Sequence, residues 1–263
     1  MRYIQGDDFI RMANCHYCSG EDVYLHFNRS ITDNLIYTHN HFIKDLLIDV
    51  KKYNEEVVIV SQNTDTAIEK MDIPDNVIKI FAQNINFVHT KIESIPIGLE
   101  NDRWFPHMNK KNKIINKLNE SKHIRNLVYM NHNVNTNLQI RMAPFNILHN
   151  KNFVTTQMLS NGQNFDNYID NVYNHKFIIC PEGHGIDTHR KWEALYLNSI
   201  PIEIKSINNS FYEDLPILLI DSWDQLNEEF LNAEYERIIN INWNLDKLDF
   251  NYWSDRIKKY LKK

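Results

Sequence analysis

The segment from Phe177 to Leu195 combines a strand-like apolar run, two glycines and a helix-like run with charged side chains. Gly183 and Gly185 predict a turn in which the backbone adopts positive φ and approaches a ligand closely. Asp187 or Thr188 is expected to cap the helix that follows. Because the N–H groups in the first turn of such a helix attract anions, the spacing predicts a phosphate-binding turn.

Charged side chains on this helix extend the prediction to a diphosphate. Arg190 is expected to neutralise phosphate oxygens, and Glu193, on the same helix face, to accept hydrogen bonds from a ribose hydroxyl pair. The alternative is an exposed Arg–Glu pair, which is common on any helix. His184 and His189 are further candidates for contacts with the phosphates or the sugar, with helix capping or simple exposure as the alternatives.

Short β-branched or aromatic runs alternate with helix-length amphipathic segments, a pattern typical of parallel sheets covered by helices. The sequence therefore predicts an α/β fold. Helices are expected at His39–Tyr53 and Thr66–Met71. The expected strands are Val23–Phe27, Val57–Gln62, Val77–Ala82, Ser94–Leu99, Leu127–Asn131, Phe153–Thr156, Phe177–Cys180, Ile200–Ile204 and Ile217–Asp221.

A Lys/Asn-rich stretch over residues 109–126 is typical of an exposed linker helix between two domains. We therefore expect one domain over residues 1–124 and a second over residues 125–263. Apolar residues at helical spacing between Phe250 and Leu261 predict a C-terminal helix that packs back on the core and leaves its lysines in water.

The composition limits the classes of partner. A formal net charge of −5 gives no broad basic field, so binding to nucleic acid or to an anionic membrane is disfavoured. The longest apolar runs are strand-sized and far shorter than the ~20 residues that span a bilayer. Without a continuous apolar run at the N-terminus to act as a secretory signal, we expect a cytoplasmic protein without a transmembrane segment.

The three cysteines, Cys15, Cys18 and Cys180, are too few for a disulfide framework. The first two form a lone C-x-x-C pair. A structural zinc site needs further ligands in a second cluster, and none follows. We therefore expect no metal site and interpret these residues as reduced thiols.

A Pro-x-Gly turn, an arginine and a Glu-Ala-Leu sequence on the next helix occur here as Pro181, Gly183, Arg190 and Glu193–Leu195. In this pattern the chain resembles the exostosin-like glycosyltransferases. The resemblance covers residues 57–240 and is strongest over 177–223. Further segments that share it are Phe81–Asn84, Ile95–Asn101, Leu127–Arg141, Ser199–Glu203, Tyr212–Ile217 and Asp221–Trp223.

This resemblance implies two Rossmann-like domains in a GT-B arrangement. It implies that residues 125–263 form the sugar-nucleotide-binding domain and that residues 1–124 form the acceptor-side domain. It implies a second phosphate contact at Arg141, whose alternative is a solvent-facing helix arginine. Most members of the family need no metal, and Asn63–Asp65 is the nearest approach here to an Asp-x-Asp motif. The expected partners are a UDP- or GDP-sugar and a glycan or other hydroxyl acceptor, with no cofactor.

An inverting transfer needs a carboxylate or imidazole to remove the acceptor proton. Strand ends of the N-terminal half offer Asp65 and His26, although Asp65 could instead cap the next helix. A retaining transfer would need no such base, and the sequence leaves both open. The alternatives in function are a nucleotide-sugar epimerase or hydrolase of similar fold and a protein that binds a nucleotide or glycan without catalysis.

Overall fold

The computed structural model describes residues 1–18, 31, 33–104, 109–124, 126–157 and 164–261. They form two α/β units: Met1–Ile97 with Asp246–Lys263, and Gly98–Leu245. The strands are β1 Cys15–Tyr17, β2 Leu35–Thr38, β3 Val57–Ser61, β4 Val77–Ala82, β5 Ile92–Ser94, β6 Asn126–Met130, β7 Val154–Thr156, β8 His175–Ile179, β9 Ile200–Ile204 and β10 Leu218–Ile220. The helices are α1 Gly6–Ile10, α2 Ile43–Val50, α3 Lys110–Lys117, α4 Leu138–Leu148, α5 Phe165–Tyr173, α6 His189–Tyr196, α7 Ile207–Ser210, α8 Glu228–Ile239 and α9 Phe250–Lys258.

The first unit contains a five-stranded parallel sheet in the order β1-β2-β3-β4-β5. Its central strand β3 is buried along its whole length, as expected for a β-branched run in a parallel sheet. Helix α2 buries Ile43, Leu46, Leu47 and Val50, which share one face at helical spacing. Successive strands are added in one direction, so no reversal of strand order occurs among the described strands.

The C-terminal helix α9 belongs to this first unit. Phe250 packs against Phe9 with ring centroids 5.2 Å apart, and Trp253 is 1% exposed. Arg256 donates two hydrogen bonds to Glu93, one of them 2.8 Å long, while Lys258 and Lys259 are exposed. The prediction that this helix packs back on a core is confirmed.

The second unit contains a parallel sheet in the order β10-β9-β8-β6-β7. Its first strand, β6, lies between its second and third, β7 and β8, so the strand order reverses direction between β6 and β8. The apolar core is formed by residues of this sheet and of the helices that cover it, among them Val128, Phe177, Ile202, Leu218 and Leu231.

The division between the units differs from the expected boundary near residue 124. Helix α3, expected as an exposed linker, packs in the second unit: Ile114 is 1% exposed, and Lys113 and Lys117 pair with Asp166 and Asp170 of α5. The second unit therefore begins at Gly98. The last residues, from Asp246, return to the first unit because α9 packs there.

Most of the predicted strands are present, and the differences lie in the first half. The expected helix Thr66–Met71 is wrong: this segment contains no helix, and Ile68 forms an isolated parallel bridge with Ile85. The strand expected at Ser94–Leu99 ends at Ser94. The strand expected at Val23–Phe27 lies outside the described residues, whereas β1 and β2 were not expected. No helix in the described part of the chain has the length and apolar character that crossing a bilayer requires.

Candidate functional site

The reversal of strand order in the second unit defines the candidate site. The connections that follow β6 and β8 leave in opposite directions, and in open α/β sheets ligands bind in the crevice outside the carboxyl ends of such strands. Asn131 and His132 follow β6, and Cys180 to Glu182 follow β8. Residues at these two ends and on the helices after them therefore surround the expected crevice.

Arg141, in the first turn of α4, joins the two strand ends. Its Nε donates to the carbonyl oxygen of Glu182 at 2.8 Å, and its Nη1 donates to the carbonyl oxygen of Asn133 at 3.0 Å. The residue is 9% exposed, so the alternative of a solvent-facing helix arginine is wrong. Its third nitrogen, Nη2, has no hydrogen-bond acceptor among the described residues.

The glycine turn lies directly against this guanidinium. A Cβ at position 183 would be 2.9 Å from Arg141 Nη2, so only a glycine fits beside the arginine without a shift. Asn137 Nδ2 donates to the carbonyl oxygen of Gly183 at 2.8 Å, and the Gly183 N–H donates to that of Gly185 at 2.9 Å. Neither glycine has positive φ, so that part of the prediction is wrong. Gly183 is required for close approach, not for backbone conformation.

Arg190 and Glu193 both contact Tyr168 of α5. The Arg190 guanidinium lies 5.3 Å from the Tyr168 ring centroid, and the Tyr168 hydroxyl donates to Glu193 Oε2 at 2.5 Å. Arg190 Nη1 also donates to Asn131 Oδ1. In the described part of the chain, Arg190 forms no ion pair, and Glu193 Oε1 accepts no hydrogen bond. The exposed Arg–Glu pair is therefore excluded, since Arg190 is partly buried and Glu193 is 8% exposed.

Positive charge is concentrated between these strand ends. Burial, reinforced by the charge on Arg190, lowers the pKa of Arg141 to about 10, so Arg141 remains a cation near neutral pH. The pKa of His132 is lowered to about 4, chiefly by burial and in part by the charges of both arginines, while its hydrogen bond to the Arg141 carbonyl opposes the shift. Two guanidinium groups with unused donors thus lie beside a neutral histidine.

The start of α6 differs from its prediction. Thr188 occupies the N-cap position, but its hydroxyl is buried and has no hydrogen-bond partner among the described residues. The Asp187 carboxylate accepts from the Thr188 N–H, from Trp192 Nε1 and from Lys191 Nζ, the last at 2.6 Å. Asp187 and Lys191 are each at most 2% exposed. Asp187 is therefore held in a buried ion pair, and it is not the N-cap residue of α6.

The two histidines of the turn have different surroundings. His184 is exposed. His189 Nδ1 lies 2.8 Å from the carbonyl oxygen of Gly98, and because a carbonyl only accepts, this nitrogen carries the proton. The bond fixes the orientation of the His189 ring and leaves Nε2 as an acceptor.

No family model matches this chain, and no curated protein matches it. The functional interpretation therefore depends on the residues and their arrangement. In the described residues, no group of three or more His, Cys, Asp or Glu side chains could hold a metal ion. The three cysteines are buried free thiols.

Of the two catalytic candidates of the first half, the structure describes Asp65, which belongs to the first unit. Asp65 is exposed in the loop after β3, and because no helix follows this loop, the alternative of a helix cap is wrong. His26 lies outside the described residues. Around the neighbouring strand ends, buried amides bond to one another: Gln62 Oε1 and Gln83 Oε1 both accept from the Asn63 N–H.

The sequence missed several side chains that shape the site in the second unit. Asn131 and Tyr168 hold Arg190, and Asn137 holds the glycine turn. Of these, Asn137 could have been found from the local sequence, because it is the N-cap of α4 and accepts from the Ile140 N–H. Tyr168 had none, because its contact with α6 depends on the packing of α5.

Proposed function

We propose that the protein is a glycosyltransferase that binds a nucleotide-diphosphate sugar at the β6–β8 crevice and transfers the sugar to a hydroxyl acceptor. The observation that carries the proposal is the pair Arg141 and Arg190, whose guanidinium groups keep unused donors at the reversal of strand order. The proposal includes a GT-B enzyme, a UDP- or GDP-sugar as donor and a glycan as acceptor. It includes a reaction without a metal or other cofactor.

A diphosphate suits this crevice because it carries two anionic groups and the crevice presents two cations. Guanidinium donors form short, charge-assisted hydrogen bonds with phosphate oxygens. Arg141 Nη2 and Arg190 Nη2 are available for these bonds, and the first turn of α6 adds the positive end of its dipole. As the glycosidic bond breaks, the same charges would stabilise the leaving diphosphate.

Glu193 is the proposed contact with the nucleoside. Tyr168 holds one of its carboxylate oxygens at 2.5 Å, and the other is available to accept from a ribose hydroxyl. For an inverting reaction, the proposed base is Asp65 in the first unit, with His26 as the second candidate.

The proposal is tested by measuring the affinity of the full chain for UDP-, GDP-, CDP- and ADP-sugars by titration calorimetry. We expect one nucleotide class to bind and Arg190→Ala to weaken it about tenfold to one hundredfold. This range follows because a hydrogen bond to a charged group contributes roughly 1.5–3 kcal/mol. The matched control is Arg237→Ala, which removes an equal charge from an exposed pair with Glu234 on α8 and should leave the affinity unchanged.

Turnover assays distinguish the remaining alternatives. Donor consumption that depends on an added glycan acceptor supports the transferase. Donor consumption without any acceptor would identify an epimerase or hydrolase, and binding without consumption would identify a non-catalytic protein. If no nucleotide sugar binds the wild-type chain, the proposal is wrong.

A further inference from the structure

A second pocket lies beside the arginine crevice, within the second unit. It has a volume of about 210 Å³ at the carboxyl ends of β8 and β9, and its walls include Ile140, Ile186 and Trp223. Glu182 links the two places: its carbonyl oxygen is held by Arg141, and the residue also lines the pocket. A ligand bound at the arginines therefore has this pocket as its neighbour.

Glu203 of β9 lines the pocket and has no hydrogen-bond partner for its carboxylate. The residue is 5% exposed, and neither carboxylate oxygen accepts a hydrogen bond from the described residues. Lys191 Nζ is 3.6 Å from Glu203 Oε2, too far for a hydrogen bond, because Lys191 bonds to Asp187 instead. A buried carboxylate without donors is costly, so this arrangement indicates a ligand that supplies them.

The pKa of Glu203 reflects its burial and the charged side chains near it. Burial raises the pKa of Glu203 to about 7, the charge of Lys191 opposes this shift, and Asp187 and Glu182 add to it. Burial also raises the pKa of Glu182. With two neighbouring carboxylates near Glu203, an anionic occupant is disfavoured.

Some of the other polar groups of the pocket are already paired. Asn209 Nδ2 donates to the carbonyl oxygen of Ile204, and its Oδ1 accepts from the Ser206 N–H, while Lys191 pairs with Asp187. The Glu182 carboxylate lies beside Glu203 as a second acceptor, and aliphatic and aromatic side chains complete much of the wall. The pocket thus offers apolar surface and carboxylate acceptors, which suits a neutral ring that bears hydroxyl groups.

The size of the pocket indicates how much of a ligand it holds. At roughly 30 Å³ for each water molecule, it has room for about seven waters. That volume is below the ~300–1,000 Å³ of pockets for drug-sized ligands, so a whole nucleotide sugar does not fit. A single sugar ring is the part of such a ligand that is neutral, rich in hydroxyls and of this size.

We infer that the Glu203 pocket binds the sugar ring of the donor, with the Glu203 carboxylate accepting a hydrogen bond from a ring hydroxyl. This inference rests on the proposed function, because it takes the diphosphate at Arg141 and Arg190 as the other part of the ligand. Glu203 is then a specificity-determining residue that distinguishes a nucleotide sugar from the nucleoside diphosphate alone.

The test compares UDP and GDP with UDP-glucose, UDP-galactose, UDP-N-acetylglucosamine and GDP-mannose by titration calorimetry. For wild type we expect the preferred nucleotide sugar to bind more tightly than its nucleoside diphosphate. At pH 8, where a carboxyl with a pKa of about 7 is mostly ionised, Glu203→Gln should weaken the nucleotide sugar about tenfold. It should leave the nucleoside diphosphate unchanged, because only a bond between the charged carboxylate and the sugar is lost.

A second variant keeps the test decisive if Glu203→Gln does not fold. Ile140 is 38% exposed and lines the pocket, so Ile140→Trp should be tolerated and should fill the space. It should also weaken the nucleotide sugar selectively. If nucleoside diphosphates bind while a folded variant leaves nucleotide-sugar affinity unchanged, the inference is overturned and the proposed function stands. If wild type binds neither class, both fail.

Discussion

The guanidinium of Arg141 occupies the place beside residue 183 that a side chain would otherwise take. Its Nη2 is 2.9 Å from the position that a Cβ would have on Gly183. The other two nitrogens of Arg141 are fixed to the carbonyl oxygens of Glu182 and Asn133. The glycine therefore sets the position of the one nitrogen that remains available to an anion.

Gly183→Ala should weaken nucleotide binding more than it weakens the fold. The new methyl group meets the end of a long side chain, and φ at this position is not positive, so the backbone is not strained. We expect the free energy of unfolding to fall by less than about 1 kcal/mol. Displacement of Arg141 should weaken nucleoside diphosphate binding about tenfold, as measured by titration calorimetry.

The matched control is Gly6→Ala in the first unit. A Cβ there would lie 1.9 Å from Asn63 Oδ1 and 2.2 Å from Gln62 Oε1. Gln62 is fully buried, so we expect a loss of about 1–3 kcal/mol in the free energy of unfolding. Nucleotide affinity of the folded protein should not change. Equal effects of the two substitutions on affinity would contradict the role given to Gly183.

The sequence predicted the fold best where strands are buried on both faces. The expected strand at Ile200–Ile204 is present with the same bounds, and β4 coincides with Val77–Ala82. Such apolar runs are typical of parallel strands covered by helices. The short strands β1 and β2 were missed because pairing decides their conformation: β2 pairs with β3, and β1 pairs with β2.

The site was predicted only in part, because some of its contacts join residues close in sequence and others depend on how helices pack. Arg190, Glu193 and the glycine turn are close in sequence, so their common location could be expected. Tyr168 joins Arg190 and Glu193 only because α5 packs beside α6, a contact that no spacing reveals. The interpretation of Asp187 missed a local signal, since Lys191 lies only four residues later, in the first turn of α6, and pairs with it.

Tyr168→Phe should separate the nucleoside contact from the phosphate contact. The substitution keeps the ring beneath Arg190 and removes the hydroxyl that donates to Glu193 Oε2 at 2.5 Å. We expect the free energy of unfolding to fall by about 1–3 kcal/mol, because a buried carboxylate loses its donor. Affinity for UDP or GDP should fall, whereas affinity for inorganic pyrophosphate should be retained.

The pyrophosphate measurement makes the assignment of Tyr168 specific. Tyr168→Leu serves as the comparison, because it also removes the ring beneath Arg190 and should weaken both ligands. A parallel loss of pyrophosphate affinity in Tyr168→Phe would show that the hydroxyl acts through Arg190 and not through Glu193.

Helix α9 should be essential to the stability of the first unit. Trp253 is 1% exposed and donates from Nε1 to the carbonyl oxygen of Lys247 at 3.0 Å. Trp253→Ala should lower the free energy of unfolding by about 3–5 kcal/mol in urea titrations followed by circular dichroism. Trp104, which is 59% exposed, provides the control, because Trp104→Ala should change stability by less than about 0.5 kcal/mol.

His132 should make the stability of the protein depend on pH. Burial, with smaller contributions from Arg190 and Arg141, lowers its pKa to about 4 in the folded state, whereas an unfolded histidine titrates near 6.5. Between these values the unfolded chain binds the proton more readily, so the free energy of unfolding decreases as the pH falls from 6.5 to 4. Above pH 6.5 histidine is neutral in both states, and this contribution is fully present.

The variant His132→Gln isolates this effect from the other titrating groups. Its amide can donate to the carbonyl oxygen of Arg141, as the imidazole does at 2.9 Å, but it does not titrate. Urea titrations of both proteins at several pH values between 4 and 8 give the difference in their free energies of unfolding. We expect this difference to be constant above pH 6.5 and to decrease by roughly 3 kcal/mol towards pH 4. A difference independent of pH would mean that His132 can bind a proton in the folded protein, and that the two arginines do not create the positive field assigned to this crevice.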